Sequence, residues 1–342
     1  MALNTYGDIG NRTAAYAVAQ LLERGMPFLV LEKFGQSYPI PKNKTKTVRF
    51  RRFEALDTTP NYLTEGVTPS GKKLEVTDVE CLLRQMGDRL VITDQVMDTN
   101  EDPVLNESID LLGEQAAQMV EVMRFGILKA GTNVFYGNAT NDTAVEIRTS
   151  VCGPVTLSKQ RSVTRSLKRQ NANKITRIVR STPSYGTKAV APSFIALCHT
   201  DCEKDIRSME GFVPIEDYGS ITPYEMEIGK VEDVRYLATT VFESWPDGGG
   251  VKTFTPSGGS ARTMISTSGT KADIYPILYL AKNAYGIVPL KGANALTPMV
   301  VNPKPSDSDP LAQRGHVGWK TMQTAVILND AWMARLEVAV SD

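Results

Sequence analysis

One uninterrupted helical pattern, from Pro103 to Ala130, constrains the fold of this chain more than any other feature. Its apolar side chains recur at the spacing of a single helix face. We expect the buried core of this helix to consist of Leu105, Ile109, Leu112, Met119 and Met123. Pro103 suits the first helical position and Gly131 is typical of a helix end. At about 1.5 Å per residue the helix would be about 42 Å long, more than twice the globular average. The sequence therefore predicts a broad, flat subunit with this helix running across it.

Composition limits the class of protein. The chain has 342 residues, of which 42% are hydrophobic, and its 38 Lys and Arg residues balance 38 Asp and Glu residues. This is typical of a folded protein of about two or three domains and excludes intrinsic disorder. A net charge of zero argues against a protein whose main role is to neutralise phosphates. No apolar run approaches the length of a bilayer, no signal peptide is visible, and four cysteines need no disulfide scaffold, so we expect an intracellular protein without a membrane segment.

A basic, alternating segment precedes the long helix. Six basic residues and no acid lie between Lys42 and Arg52, with Val48 and Phe50 on one face of the predicted strand. Residues Leu74–Met86 are also extended in pattern, so 42–89 is predicted to form one long hairpin with a loose tip. Because an isolated hairpin is only marginally stable, it must lie against its own subunit or a neighbouring chain.

Charge is also segregated along the second half of the chain. Residues 159–188 contain nine basic residues and no acid, whereas residues 201–233 contain ten acids and three basic residues. Two interpretations remain open. The blocks are solvated faces with counter-charges nearby in the same subunit, or they pair between subunits.

The remaining pattern is a mixture of short helices and strands. Helices are predicted at 12–24, 159–170 and 201–209, and a flexible loop is predicted from Gly248 to Gly269. Predicted strands cover 194–198, 274–281, 285–290, 320–328 and 332–340. The fold class is therefore α+β.

Motifs for catalysis or metal binding are incomplete. Gly66–Lys72 has the spacing of a phosphate-binding loop, but Lys73 stands where a Ser or Thr is needed and an extended segment follows. Cys198, His199 and Cys202 lack a fourth metal ligand, and we expect them, like His316 in a predicted turn, to be structural. We therefore predict no catalytic, cofactor-binding or metal-binding residues, and no cofactor.

Segments spread along nearly the whole chain carry a resemblance. They are Tyr6–Ile9, Pro41–Thr47, Leu63–Pro69, Glu101–Leu105, Leu128–Tyr136, Gly211–Pro214, Ala284–Gly292, Asp309–Lys320 and Ile327–Glu337. In these segments the chain resembles the major capsid proteins of tailed phages related to phage N-four.

The resemblance implies a Hong Kong 97-type capsid fold. Its parts would be an N-terminal arm (1–41), an extended-loop hairpin (42–90), a peripheral domain (91–154) with the spine helix (103–130), an axial domain (155–318) and C-terminal strands (319–342) that return to the peripheral domain.

The implied function is self-assembly into the icosahedral head of a tailed double-stranded DNA phage, not catalysis. The expected partners are other copies in hexamers and pentamers, scaffolding, portal and decoration proteins, and packaged DNA through weak contacts, in the virion and, during assembly, in the host cytoplasm. An encapsulin-like compartment shell is the alternative, and an enzyme with an unrecognised site is a second. Candidate contacts between subunits are Lys42, Lys44, Lys46, Arg49, Arg51, Arg52 and Glu65.

Overall fold

The computed structural model describes residues 29–68, 71–95, 104–175, 192–218, 223–291, 295–301, 303, 305, 310–311 and 313–342. The predicted arm helix within residues 1–28, Pro103 and the side chain of Leu105 lie outside this description.

The described residues form three α-helices and sixteen strands. The helices are α1 (Val104–Leu128), α2 (Leu157–Arg169) and α3 (Glu203–Arg207). The strands are β1 (Gln36–Ser37), β2 (Thr47–Phe53), β3 (Val76–Leu82), β4 (Arg84–Thr93), β5 (Val134–Tyr136), β6 (Phe194–His199), β7 (Phe212–Pro214), β8 (Glu227–Val231), β9 (Val234–Thr239), β10 (Thr253–Phe254), β11 (Arg262–Thr263), β12 (Ile274–Leu280), β13 (Tyr285–Pro289), β14 (Leu296–Val301), β15 (Arg314–Ile327) and β16 (Met333–Ala339).

A five-stranded sheet is built around β15. One edge of β15 pairs with β4, and the other edge pairs with β13 and β14 in succession. Helix α1 packs on one face of this sheet through Ile109 and Leu112, which contact Val317 and Trp319, and Met119 packs beside them. The predicted helix is therefore confirmed, with Ile109 and Leu112 buried and Met119 and Met123 half-buried.

A seven-stranded sheet, in the order β5-β16-β12-β6-β9-β8-β7, forms the second half of the molecule. Helix α2 covers one face with Val163 and Leu167. The other face packs against the C-terminal end of α1, where Phe125 and Leu128 are buried, and against Tyr285 of the first sheet. The two sheets therefore share a hydrophobic core.

The C-terminal strands do not lie together. Strand β15 lies in the sheet that α1 covers, whereas β16 lies between β5 and β12 in the seven-stranded sheet. Strand β16 therefore joins a strand of the predicted peripheral segment, β5, to a strand of the predicted axial segment, β12. Both faces of β16 are buried: Leu336 and Val338 enter the apolar core, while Arg335 and Glu337 form an ion pair with each other.

The glycine-rich segment after Gly248 is more ordered than the sequence predicts. The N–H of Gly249 donates to the carbonyl of Ala272, and the N–H of Gly250 donates to the carbonyl of Val151. Further along, β10 and β11 pair with each other. These backbone hydrogen bonds attach the segment to the body of the subunit, so the prediction of a flexible loop is wrong.

Candidate assembly surface

The predicted hairpin is present, and its base packs on its own subunit. Strands β2 and β3 pair in antiparallel register, with Val48 opposite Cys81. Val48 is only 7% exposed and packs with Leu83, Val288 and Val326, on the face of the five-stranded sheet opposite α1. Val48 is therefore a core residue of the subunit and not a contact to a neighbour.

The arginines of β2 form ion pairs inside the hairpin. Arg51 donates to both carboxylate oxygens of Asp78 over 2.9 and 3.0 Å, and Arg49 pairs with Glu80 directly across the strands. The hydrogen bond from Arg51 lowers the pKa of Asp78 below its ordinary value. Arg52 binds Glu54 over 2.7 Å. Each of these three arginines therefore already has an acidic partner within its own subunit.

The lysines at the start of the hairpin differ from the arginines. Lys42, Lys44 and Lys46 are exposed, and none forms an ion pair with another described residue. Glu65 is likewise exposed, at the hairpin tip, without an ion pair in the described part of the chain. The candidate contacts therefore divide into an internally paired set and a set that is available to a partner.

The hairpin tip exposes large apolar side chains. Tyr62 is 91% exposed and Leu63 is 72% exposed. Further exposed apolar residues of the tip are Leu56, Val67 and Leu74. Such a cluster on a projecting loop is typical of a surface that another molecule covers.

The described residues cover only half of the sheet face on which the hairpin base packs. Its other half is a groove of about 760 Å³ across β4, β15 and β14. The residues that line it on this face include Arg89, Met299, Val301, His316 and Lys320. The groove therefore combines apolar side chains with two cations.

Two glycines, Gly87 and Gly318, line the floor of the groove without side chains. A Cβ atom on Gly87 would lie 2.6 Å from the carbonyl oxygen of Trp319, and one on Gly318 would lie 2.8 Å from that of Asp88. Both contacts are too close, so neither position accepts a larger residue without a backbone shift. His316 lies beside them in β15, which corrects the prediction that it lies in a turn.

The structure describes most residues of the incomplete motifs. Cys198 and Cys202 are fully buried, and burial raises the pKa of both thiols. No cluster of three or more His, Cys, Asp or Glu side chains among the described residues could hold a metal ion. The segment after Lys72 leads into β3, and Lys72 itself donates to the backbone carbonyl of Asp57. Among the described helices, none has the length and apolar character needed to cross a bilayer.

The family is decided by the sequence of the central part of the chain. The sequence model of a family described as phage capsid protein matches residues 80–319, more than half of the chain. The chain belongs to the phage capsid protein family. Comparison of this capsid protein with the curated proteins finds no match.

Solved capsid structures share the fold. The capsid of Ralstonia phage GP4 superimposes with a TM-score of 0.64 at 12% identity, covering 90% of this chain and 87% of that one. The capsid of cyanophage Pam1 gives a TM-score of 0.60 at 12% identity, covering 90% and 89%. The α+β fold of the capsid protein is thus the Hong Kong 97-type that the resemblance implied.

Family and fold together make this a phage major capsid protein, located in the capsid of the virion, and not an encapsulin-type shell. The groove was missed from the sequence because it forms between β4 and β15, whose paired residues are more than 200 positions apart. Local signals were Gly87 and Gly318, which lie just outside the predicted extended segments but within the observed β4 and β15, where glycine often marks a close backbone approach.

Proposed function

We propose that the capsid protein assembles into the hexamers and pentamers of an icosahedral head, and that the hairpin tip of each copy lies in the sheet groove of its neighbour. The observation that carries this proposal is the pairing of two unsatisfied surfaces. Tyr62 and Leu63 project from the tip, and Met299 and Val301 of the groove are 44% and 52% exposed among the described residues.

Charge supports the same arrangement. The tip, residues 54–75, carries four acids and two lysines, and Glu65 is exposed within it. The groove presents Arg89 and Lys320, while Asp88 on the same strand faces α1 and accepts a hydrogen bond from Gln115 over 2.8 Å. Opposite charges on the two surfaces favour correct docking and suppress other pairings.

The base of the hairpin explains how the tip is held out. Val48, Cys81 and Leu83 bury the base against the subunit, and the paired Arg51 and Asp78 stiffen the two strands beyond it. The exposed Lys42, Lys44 and Lys46 flank this base and would meet acids of a neighbouring copy. The division of the chain into arm, hairpin, peripheral and axial units stays part of this proposal.

The other partners follow from the role as a shell subunit. We infer a structural and not a catalytic role, with assembly in the host cytoplasm and contact with scaffolding, portal and decoration proteins. The balance of 38 basic and 38 acidic residues supports weak, non-specific contact with packaged double-stranded DNA.

Electron microscopy and light scattering of the protein expressed alone test the proposal. We expect shells or capsomers from the wild type, and dispersed subunits from the double variant Tyr62→Ser with Leu63→Ser, because the tip loses the apolar surface that the groove buries. The matched control replaces Ile147 and Val251, 58% and 55% exposed and outside the hairpin, with serine. Normal particles from the tip variant would refute the docking of the hairpin. A wild type that stays monomeric even with its scaffold would refute self-assembly itself.

A further inference from the structure

The basic and acidic blocks of the second half of the chain meet within one subunit, but only in part. Arg161 of α2 binds Glu232 over 2.5 Å. Lys168 and Lys174 both bind Asp233, over 2.5 and 3.1 Å. For these residues the interpretation of local counter-charges is confirmed, since the turn between β8 and β9 supplies both acids.

Two arginines of α2 remain outside this network. Arg165 and Arg169 are four residues apart, so they share one face of the helix, and both are exposed. Neither forms an ion pair with any residue that the structure describes. Arg165 borders two furrows along the helix, of about 510 and 310 Å³. Arg165 and Arg169 are called the arginine stripe below.

Two exposed carboxylates, called the acidic pair below, follow β7 of the seven-stranded sheet. Glu216 and Asp217 lie on a short 3-10 turn, Ile215–Tyr218, and are exposed, without an ion pair in the described part of the chain. The nearby Lys230 contacts the ring of Tyr218, 5.8 Å from its centre, and forms no ion pair with this acidic pair.

The arginine stripe and the acidic pair are associated with opposite ends of β8. The acids that hold α2 follow the C-terminal end of β8, after Val231. The acidic pair lies at the other end of β8, where Tyr218 donates to Glu227 over 2.8 Å. Five residues of strand separate these ends by roughly 13 Å. Within one copy, the structure shows no ion pair between the arginine stripe and the acidic pair.

We propose that the arginine stripe of one capsid protein binds the acidic pair of a second copy, with the 3-10 turn of that copy entering the furrow beside α2. This inference rests on the proposed self-assembly and names a contact independent of the hairpin. Two different patches of the subunit that bind each other form a heterologous contact, which is the kind of contact that can close a ring. Bidentate arginine–carboxylate pairs would set the register of that ring.

The occupant is a second copy because the chain supplies both halves of the contact. Two arginines face two carboxylates, and all four side chains are exposed in the free subunit. Packaged nucleic acid is the other polyanion that the arginine stripe could meet, and the experiment separates the two.

Charge reversal tests the contact. We expect Arg165→Glu with Arg169→Glu to raise the subunit concentration needed for half-maximal assembly at least tenfold, and Glu216→Arg with Asp217→Arg to do the same. Combining all four changes should restore assembly to within about threefold of the wild type. Arg262→Glu with Lys271→Glu is the control for the arginine-stripe variant. It makes the same change in net charge at exposed residues outside both patches and should assemble normally.

Two results would overturn the proposed contact between the arginine stripe and the acidic pair. Normal assembly of the arginine-stripe variant, with or without loss of packaged DNA, would overturn the proposal, as would a quadruple variant that folds but is not rescued. Unchanged circular dichroism and melting of the purified subunits establish that loss of assembly is not loss of fold. Because the wild type and the Tyr62/Leu63 variant are measured in parallel, failure of this contact remains distinguishable from failure of self-assembly or of hairpin docking.

Discussion

At the scale of single residues, Glu121 is a buried carboxyl group that links two parts of the chain. Its side chain has no solvent exposure, and its Oε1 atom accepts hydrogen bonds from the backbone N–H groups of Val30 and Leu31 over 3.0 and 2.7 Å. Burial raises the pKa of Glu121 to about 7, against the opposing effect of these hydrogen bonds and of Arg124. One carboxylate thus ties the segment before the hairpin to the long helix.

The raised pKa of Glu121 predicts how stability depends on pH. Between about 4.5 and 7 the folded state keeps a proton that the unfolded state releases, so the contribution of Glu121 to stability falls as the pH rises through this window. Glu121→Gln retains the acceptor without the charge. We expect it to raise the melting temperature relative to the wild type at pH 8 and to leave it nearly unchanged at pH 4.5.

The truncation Glu121→Ala is the matched comparison. It leaves two buried N–H groups without an acceptor, so we expect it to destabilise the fold by about 1–3 kcal/mol or more. Thermal unfolding of the three proteins at both pH values checks the assignment. A glutamine variant with the same pH dependence as the wild type would show that another group titrates.

At the scale of secondary-structure elements, α1 has two buried faces along its length. Its first half packs on the five-stranded sheet through Ile109 and Leu112, and its last turn enters the core shared by the two sheets through Phe125 and Leu128. Arg335 donates to the carbonyls of Lys129 and Gly131, just beyond the end of α1. A cation there also complements the helix dipole.

The two sides of α1 allow a direct test of its orientation. Ile109→Asp buries an unpaired charge, which costs several kcal/mol, so we expect no soluble folded subunit. Leu111→Asp is the control, because Leu111 is 54% exposed and its replacement should change the free energy of unfolding by no more than about 0.5 kcal/mol. Solubility and a cooperative melt check both. A folded Ile109→Asp protein would contradict the packing of α1.

At the scale of the whole molecule, the shared core makes one folding unit of the two sheets. Leu31, Leu128 and Tyr285 pack there with Leu197 and Leu278 of the seven-stranded sheet. Tyr285 also donates from its hydroxyl to the carbonyl of Leu31. Two sheets held in this way should not unfold separately.

Calorimetry of the unassembled subunit tests this cooperativity. Leu128→Ala leaves a cavity in the shared core, and we expect a loss of about 2–5 kcal/mol that shifts a single transition as a whole. A control substitution at the exposed Val122 on the same helix should leave the transition in place. Two transitions, with only one shifted by Leu128→Ala, would show that the sheets are independent.

The sequence was most informative where structure depends on near neighbours in the chain. The spacing of Ile109 and Leu112 identified the long helix, and the alternation around Val48 and Phe50 identified the hairpin. The sequence was least informative where the interacting residues are far apart in the chain. That Arg51 pairs with Asp78 inside the hairpin, and Arg161 with Glu232 across 71 residues, could not be distinguished from pairing between subunits.

By itself, the sequence determined the helix, the hairpin, the α+β class and, through resemblance along the chain, the capsid family. Periodicity and local motifs can be recognised without knowledge of the fold. Tertiary structure alone decided that β16 joins the seven-stranded sheet, that β4 and β15 enclose a groove, and which charges are left for a neighbour. Strand pairing and burial bring together residues hundreds of positions apart, and whether a charge is satisfied depends on what folding places beside it.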